Sequence, residues 1–151
     1  MEARAVPRKT ILVAASDEVA ERLLRVLTGH ELIAARTLSR AVSLLENRQF
    51  GLVIVDVQFD QSQMFELLHH IRINRQDANV PIACVLAPAD GLPLSKVLVE
   101  GLNYAVKAMT ANAFLDFAKM RDDEAGNARL KRIIDYLILI DGELHQGLDG
   151  G

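Results

Sequence analysis

The sequence predicts a doubly wound α/β fold built on a five-stranded parallel sheet, and two patterns carry this prediction. Short, continuous apolar runs recur along the chain, as is typical of strands that a parallel sheet buries on both faces. Between these runs, apolar residues repeat at helical spacing. Strands that alternate with helices form right-handed crossover units, so the helices cover both faces of the sheet. A chain of 151 residues, half of them apolar, is large enough for one such core.

The first half of the chain is predicted to contain three strands and three helices. In order, they are a strand at residues 11–15, a helix at 19–27, a strand at 31–36, a helix from 37, a strand at 52–55 and a helix at 64–71. Ser16 or Asp17 is a suitable cap for the first helix. The third strand is the clearest, because its β-branched residues form an unbroken run that stops at Asp56.

The second half is predicted to add two strands, two helices and a long final segment. In order, they are a strand at residues 82–86, a helix that ends at 101, a strand at 104–106, a helix at 110–120 and an apolar helix at 127–144. The predicted organisation is an N-terminal tail (1–9), a globular domain (10–121), a C-terminal helical extension (122–146) and a glycine-rich tail, expected to be disordered (147–151).

Charge balance, the length of the apolar runs and the single cysteine exclude several classes of protein. The 17 Lys and Arg and 20 Asp and Glu give a net charge of −3 without a long block of either sign, which argues against nucleic acid or an anionic membrane as the main partner. No apolar run is long enough to span a bilayer. Cys84 lies within an apolar strand and is expected to be a buried core residue. His30 lies in a predicted turn and is expected to be solvated or partly packed. These features predict a cytoplasmic protein.

Four segments of the chain resemble the landmark segments of the response-regulator receiver family (CheY-like) of two-component signal transduction. They are residues 11–15, 52–56, 81–86 and 101–107, and the resemblance extends over residues 9–120. It implies a flavodoxin-like, receiver-type sheet with an additional C-terminal helix. In such sheets the functional side chains gather just beyond the carboxyl ends of the strands.

The resemblance also implies roles for individual residues. In the family, an aspartate that ends the third strand accepts a phosphoryl group, and Asp56 stands at this position. Lys107 matches the lysine that follows the fifth strand, and Tyr104 matches the aromatic switch residue of that strand. We therefore expect an ion pair between Asp56 and Lys107 at the carboxyl edge of the sheet.

Two positions depart from the family pattern. An acidic pair normally follows the first strand and holds Mg²⁺, a cation that prefers oxygen ligands, whereas this chain has Ala15 and Ser16 there. Asp17 is the nearest substitute, so no cofactor is certain and a Mg²⁺ site formed by Asp17 and Asp56 is expected to be weak. The hydroxyl that ends the fourth strand is replaced by Leu86, whose side chain cannot donate a hydrogen bond.

These departures favour an atypical receiver, or pseudo-receiver, that acts mainly as a protein-interaction module with a degraded phosphorylation site and is not an enzyme. Its expected partner is a histidine kinase or a downstream signalling protein, contacted through the helical face beside the fourth and fifth strands. The alternative is a working receiver that a histidine kinase phosphorylates on Asp56.

The final helix raises a separate question, because its apolar residues cover more than one helical stripe. They are Leu130, Ile133, Ile134, Leu137, Ile138 and Ile140. Exposed apolar patches usually mark an interface, so this surplus favours a homodimer formed through the C-terminal helix. In the alternative, the helix folds back on its own domain and replaces or extends the short fifth helix.

Overall fold

The computed structural model describes residues 9–74, 78–88 and 95–149, with side chains of the last helix described as far as Ile140. The elements in chain order are β1 (Thr10–Ala14), α1 (Asp17–Val26), β2 (Glu31–Ala35), α2 (Leu38–Asn47), β3 (Leu52–Asp56), α3 (Phe59–Ser62), α4 (Met64–Ile73), β4 (Ile82–Leu86), α5 (Lys96–Ala108), β5 (Ala113–Asp116) and α6 (Glu124–Asp149). The N-terminal tail lies outside the described residues, apart from Lys9.

The five strands form one parallel sheet in the order β2-β1-β3-β4-β5. Every residue of β3 and β4 is buried, which explains their unbroken apolar sequences. Side chains alternate along each strand: Ile11 and Val13 of β1 join a core layer with α1 and α6, whereas Leu12 and Ala14 join the layer with α2 and α4. The predicted doubly wound α/β fold is confirmed.

The predictions of a strand at residues 104–106 and a helix at 110–120 are both wrong. Residues 104–106 continue α5, because a three-residue apolar run has no periodicity that separates a strand from a helix. Thr110 then turns the chain with a φ of 64°. β5 follows where Asn112 donates its backbone N–H to the carbonyl of Ile82 (2.8 Å) and accepts the Ile82 N–H through Oδ1 (2.8 Å).

The C-terminal helix α6 is part of the domain core. Leu130, Ile134 and Ile138 recur every four residues, are buried, and pack with α1 and the sheet, while Ile133 and Leu137 pack against the edge of the same layer. The helix thus folds back on its own domain and covers the place of the predicted fifth helix. It continues to Asp149, beyond the predicted helix end at 144 and into the tail predicted at 147–151, of which residues 150 and 151 lie outside the described residues.

A buried arginine on α1 joins the chain before α6 to the rest of the domain. The side chain of Arg22 donates to the carbonyls of Met120 (2.7 Å) and Arg121 (2.8 Å) and to Oδ1 of Asn127 (2.9 Å). Its guanidinium lies 4.4 Å from the centre of the Phe117 ring. Burial lowers the pKa of Arg22, and nearby Asp122 opposes this effect. Arg22 therefore fixes the turn that leads from β5 into α6.

His30 makes a second connection to α6, and its side chain is packed, not solvated. Its side chain is only 5% exposed. The Lys9 backbone N–H donates to Nδ1 (3.1 Å), which leaves Nε2 to donate to Asp135 of α6 (3.1 Å). Lys131 also donates to the Asp135 carboxylate (2.9 Å).

Within the described ranges, none of the helices combines the length and the apolar character that a membrane span needs.

Candidate functional site

The candidate site lies at the carboxyl edge of the sheet, where β3, β4 and β5 end on Asp56, Leu86 and Asp116. Ser16 stands beside them in the loop after β1. Parallel strands end at the same edge, so the fold brings these four residues to one side of the domain. Asp56 and Leu86 are where the sequence predicted them.

Asp56 is the central residue of this edge and is only 2% exposed. Its Oδ2 accepts a hydrogen bond from the hydroxyl of Ser16 (3.3 Å), and its Oδ1 accepts one from the backbone N–H of Gln58 (3.0 Å). Both carboxylate oxygens therefore have a donor within the protein. In the described part of the chain, Asp56 has no cationic partner within ion-pair distance.

The structure does not place Lys107 and Tyr104 at this edge. Both lie in α5, and Tyr104 is 80% exposed. Because α5 connects β4 to β5, its C-terminal end lies at the amino edge of the sheet, about 16 Å of strand away from Asp56. The prediction that Tyr104 lies on the fifth strand and that Lys107 follows this strand is wrong, since the fifth strand begins only at Ala113.

Asp116 is the residue that ends the fifth strand, and the sequence prediction missed it. It pairs in register with Leu86, and its Oδ1 accepts the backbone N–H of Ala118 (3.0 Å). β4 separates it from β3, so Asp116 and Asp56 stand on strands about 10 Å apart. The residue that follows β5, where the receiver resemblance implied a lysine, is Phe117, whose side chain packs in the core layer of α1 and α6.

Asp17 does not reach the site. It opens α1, its side chain is 71% exposed, and its carboxylate is paired with the Arg36 guanidinium at 2.8 Å. The two carboxylate oxygens of Asp56 already accept hydrogen bonds from Ser16 and Gln58. Among the described residues, no cluster of three His, Cys, Asp or Glu side chains could hold a metal ion. These donors do not fit the Mg²⁺ site that the resemblance implies.

The loop after Asp56 has an unusual backbone. Asp60, Gln61 and Ser62 have φ values of 44°, 57° and 66°, so α3 is a left-handed turn formed without glycine. Such a conformation costs about 1–2 kcal/mol per residue. Asp60 holds it in place, because its Oδ2 accepts the Leu38 N–H at the start of α2 (2.7 Å). The loop beside Asp56 is therefore tied to a neighbouring helix.

Comparison with known proteins gives a match in structure alone. No protein-family model and no curated protein matches the sequence. Among solved structures, a signal receiver domain from Vibrio parahaemolyticus superposes with a TM-score of 0.71 at 15% identity, covering 96% of this chain and 100% of that one. The chain has the receiver fold.

Two further solved structures show the same likeness. A response regulator from Thermotoga maritima superposes with a TM-score of 0.66 at 20% identity, covering 87% of this chain and 98% of that one. The receiver domain of a sensor histidine kinase from Pseudomonas aeruginosa gives 0.63 at 20% identity, with 87% and 98% coverage. That domain holds magnesium in its active-site cleft. At these identities the shared property is the receiver fold itself.

Proposed function

We propose that this chain is a pseudo-receiver, a cytoplasmic signalling module that acts through protein contacts and does not accept a phosphoryl group on Asp56. The observation that carries the proposal is the state of Asp56: a carboxylate that is 2% exposed and hydrogen-bonded through both oxygens. A nucleophile must reach the phosphorus atom, whereas the Asp56 carboxylate is buried and bonded to the loop that follows it.

The charges at the carboxyl edge support the same proposal. Phosphoryl transfer requires cations that neutralise the charge developing on the transferred group. Here the ends of β3 and β5 carry Asp56 and Asp116, the end of β4 carries Leu86, and Lys107 stands at the opposite edge. Among the described side chains, no cation lies within ion-pair distance of Asp56, so none is in place to neutralise that charge.

The alternative is a working phosphoacceptor, which the position of Asp56 at the end of the central strand favours. Titration with beryllium fluoride and Mg²⁺, followed by amide NMR, separates the two functions, because this phosphoryl analogue binds only a competent site. We expect no saturable shift at Ser16 or Gln58. Saturable shifts that disappear in Asp56→Asn would establish the working receiver instead.

The proposed partner is another signalling protein, either a histidine kinase or a downstream target. Pairing of two chains through α6 would have to use the outer face of this helix, because Leu130, Ile134 and Ile138 pack inside the domain. Tyr136, 62% exposed, is the large apolar side chain that α6 still presents among its described residues. Light scattering on the intact chain and on Tyr136→Ser tests it: a dimer that the variant disrupts supports pairing, and a monomer in both rejects it.

A further inference from the structure

Strand β2 forms one edge of the sheet, and no strand of the described residues pairs with its outer side. Natural proteins usually protect such an edge with Lys or Pro residues, with a bulge or with a covering element. Residues 31–35 contain no Lys, Pro or Gly, and they pair with β1 in unbroken register. Ala34 is exposed, and Leu32 and Ile33 are only partly buried. The β2 edge is therefore apolar and lacks the usual protection.

The backbone of β2 presents hydrogen-bonding groups along this edge. Glu31 donates its N–H to the Lys9 carbonyl (3.0 Å), and the Ala35 carbonyl accepts the N–H of Ala15 (3.3 Å), so the first and last residues of β2 bond toward β1. In a parallel pair, alternate residues of a strand bond to the same neighbour. The second and fourth residues of β2 therefore point their N–H and C=O groups outward. These residues are Leu32 and Ala34.

Leu24 of α1 extends the apolar surface beside this edge and is 53% exposed. Asp17, seven residues earlier on the same side of the helix, is paired with Arg36, which follows β2 (2.8 Å). Seven helical residues and three strand residues each span about 10 Å, so Leu24 lies level with the middle of β2. Arg22 and Arg25, on another side of α1, contact the chain before α6. Leu24 thus flanks the β2 edge and not α6.

Two copies of this edge complement each other when they run antiparallel. If a two-fold axis passes beside Ile33, Leu32 of each copy stands opposite Ala34 of the other, and each such pair exchanges both of its N–H···O bonds. A large side chain then meets a small one on the α1 face. On the α2 face the two Ile33 side chains meet, and cross-strand pairs of β-branched residues stabilise a sheet.

The charges at the ends of β2 favour the same arrangement. Glu31 stands at the start of β2, and Arg36 follows its end with a side chain that is 74% exposed. An antiparallel pair brings Glu31 of each copy toward Arg36 of the other. A parallel pair in register would instead place Glu31 beside Glu31 and Arg36 beside Arg36, and like charges directly opposite each other destabilise a pair of strands.

We propose that two copies of this chain pair through their β2 edges, antiparallel around Ile33, and join their five-stranded sheets into one continuous sheet. The two Leu24 side chains close the contact on the α1 face. Such an interface is isologous, the type found in two-fold symmetric dimers. It leaves α6 and the edge that carries Asp56 outside the contact, so it is distinct from pairing through α6 and independent of the chemistry of Asp56.

The test is sedimentation of the intact chain between about 1 and 200 μM, combined with amide hydrogen exchange by NMR. We expect the mass to rise to that of two chains within this range. The amides of Leu32 and Ala34, which point outward in a single copy, should become protected as the dimer forms. Protection of these two amides identifies the surface, because a dimer formed elsewhere would leave them in solvent.

Two variants and a matched control sharpen the result. Ala34→Pro removes an outward N–H and no hydrogen bond within the domain, since Pro is tolerated on edge strands. Leu24→Lys places two like charges across the axis without changing the strand. Each should raise the dissociation constant of the dimer at least about tenfold while circular dichroism shows a folded chain. Ile73→Lys, at an apolar site of α4 that is 65% exposed, should leave the dimer unchanged.

Three outcomes would overturn the inference. The first is a chain that stays monomeric at about 200 μM, which would leave the β2 edge to a strand of another protein. The second is a dimer in which Leu32 and Ala34 exchange as fast as in the dilute chain. The third is a dimer that Tyr136→Ser disrupts and Leu24→Lys does not, which would assign pairing to α6. The beryllium fluoride titration reports on Asp56 alone, so each proposal can fail without the other.

Discussion

Replacing Arg22 with methionine tests the claim that α6 is held to the domain from within. Methionine keeps the packing against Phe117 but removes every hydrogen bond that Arg22 makes to Met120, Arg121 and Asn127. The Met120 carbonyl is left buried without a donor, at about 2 kcal/mol, and the partly buried acceptors add about 1 kcal/mol. We therefore expect the free energy of unfolding to fall by about 3 kcal/mol.

Urea unfolding followed by circular dichroism measures this loss. With a slope of about 2 kcal/mol per molar urea, a fall of that size lowers the midpoint by about 1.5 M. Arg25→Met is the matched control, because Arg25 lies one turn along α1 and bonds only to the exposed carboxylate of Asp122. Exposed ion pairs contribute little, so this variant should unfold almost like the original chain. The reasoning is refuted if Arg22→Met loses no more stability than Arg25→Met.

Four further predictions follow from single contacts. Burial would raise the pKa of Asp135, but hydrogen bonds from Lys131 and His30 hold this pKa below the ordinary 3.8. The free energy of unfolding therefore decreases as pH falls below about 4. Asp135→Asn should lose less of this free energy between pH 7 and pH 3. Gln61→Gly relieves a left-handed residue and should raise the urea midpoint by about 0.5 M or less; a lower midpoint would contradict the turn geometry. Burial raises the pKa of the Cys84 thiol to about 12, so it should react with a thiol reagent at pH 8 only after unfolding; labelling of the folded chain would contradict the buried strand. Ala15→Asp, Ser16→Asp and Leu86→Thr together should permit weak, magnesium-dependent labelling by acetyl phosphate, because they supply the acidic pair and the hydroxyl that this edge lacks; no label above that of the original chain would contradict this reading.

The sequence predicted those parts of the fold whose causes are local. The run before Asp56 is β-branched, unbroken and stops abruptly, so both strand β3 and its functional end were recognisable. The fourth strand was equally clear between Pro81 and the residues after Leu86. In both cases the residues that form the element also mark where it ends.

The fifth strand was missed because two short segments competed for one place in the sheet. Tyr104 and Val106 suit a strand or a helix equally well, and the choice depends on whether α5 continues past Gly101. The signal that was available is Asn112, a residue suited to a turn, which begins β5 by bonding twice to Ile82. Because of this error, Lys107 was predicted at a strand end, whereas it lies in α5 at the opposite edge of the sheet.

The residues that join α6 to the domain were beyond sequence reasoning of this kind. Arg22 and its partner Asn127 are 105 residues apart, as are His30 and Asp135. No local pattern links such pairs, and a single histidine or arginine in isolation is usually solvated. The same limit applies to Asp116, whose place at the end of β5 depends on a strand that the sequence prediction missed.

The central claim, that Asp56 is not a phosphoacceptor, is tested most directly by incubating the intact chain with radiolabelled acetyl phosphate and Mg²⁺ and counting label per chain. Asp56→Asn, incubated in parallel, gives the background. Because Asp56 is 2% exposed, bonded to Ser16 and Gln58, and has no cationic partner among the described residues, the account predicts label no higher than in Asp56→Asn. Near-stoichiometric label that the variant abolishes would contradict it.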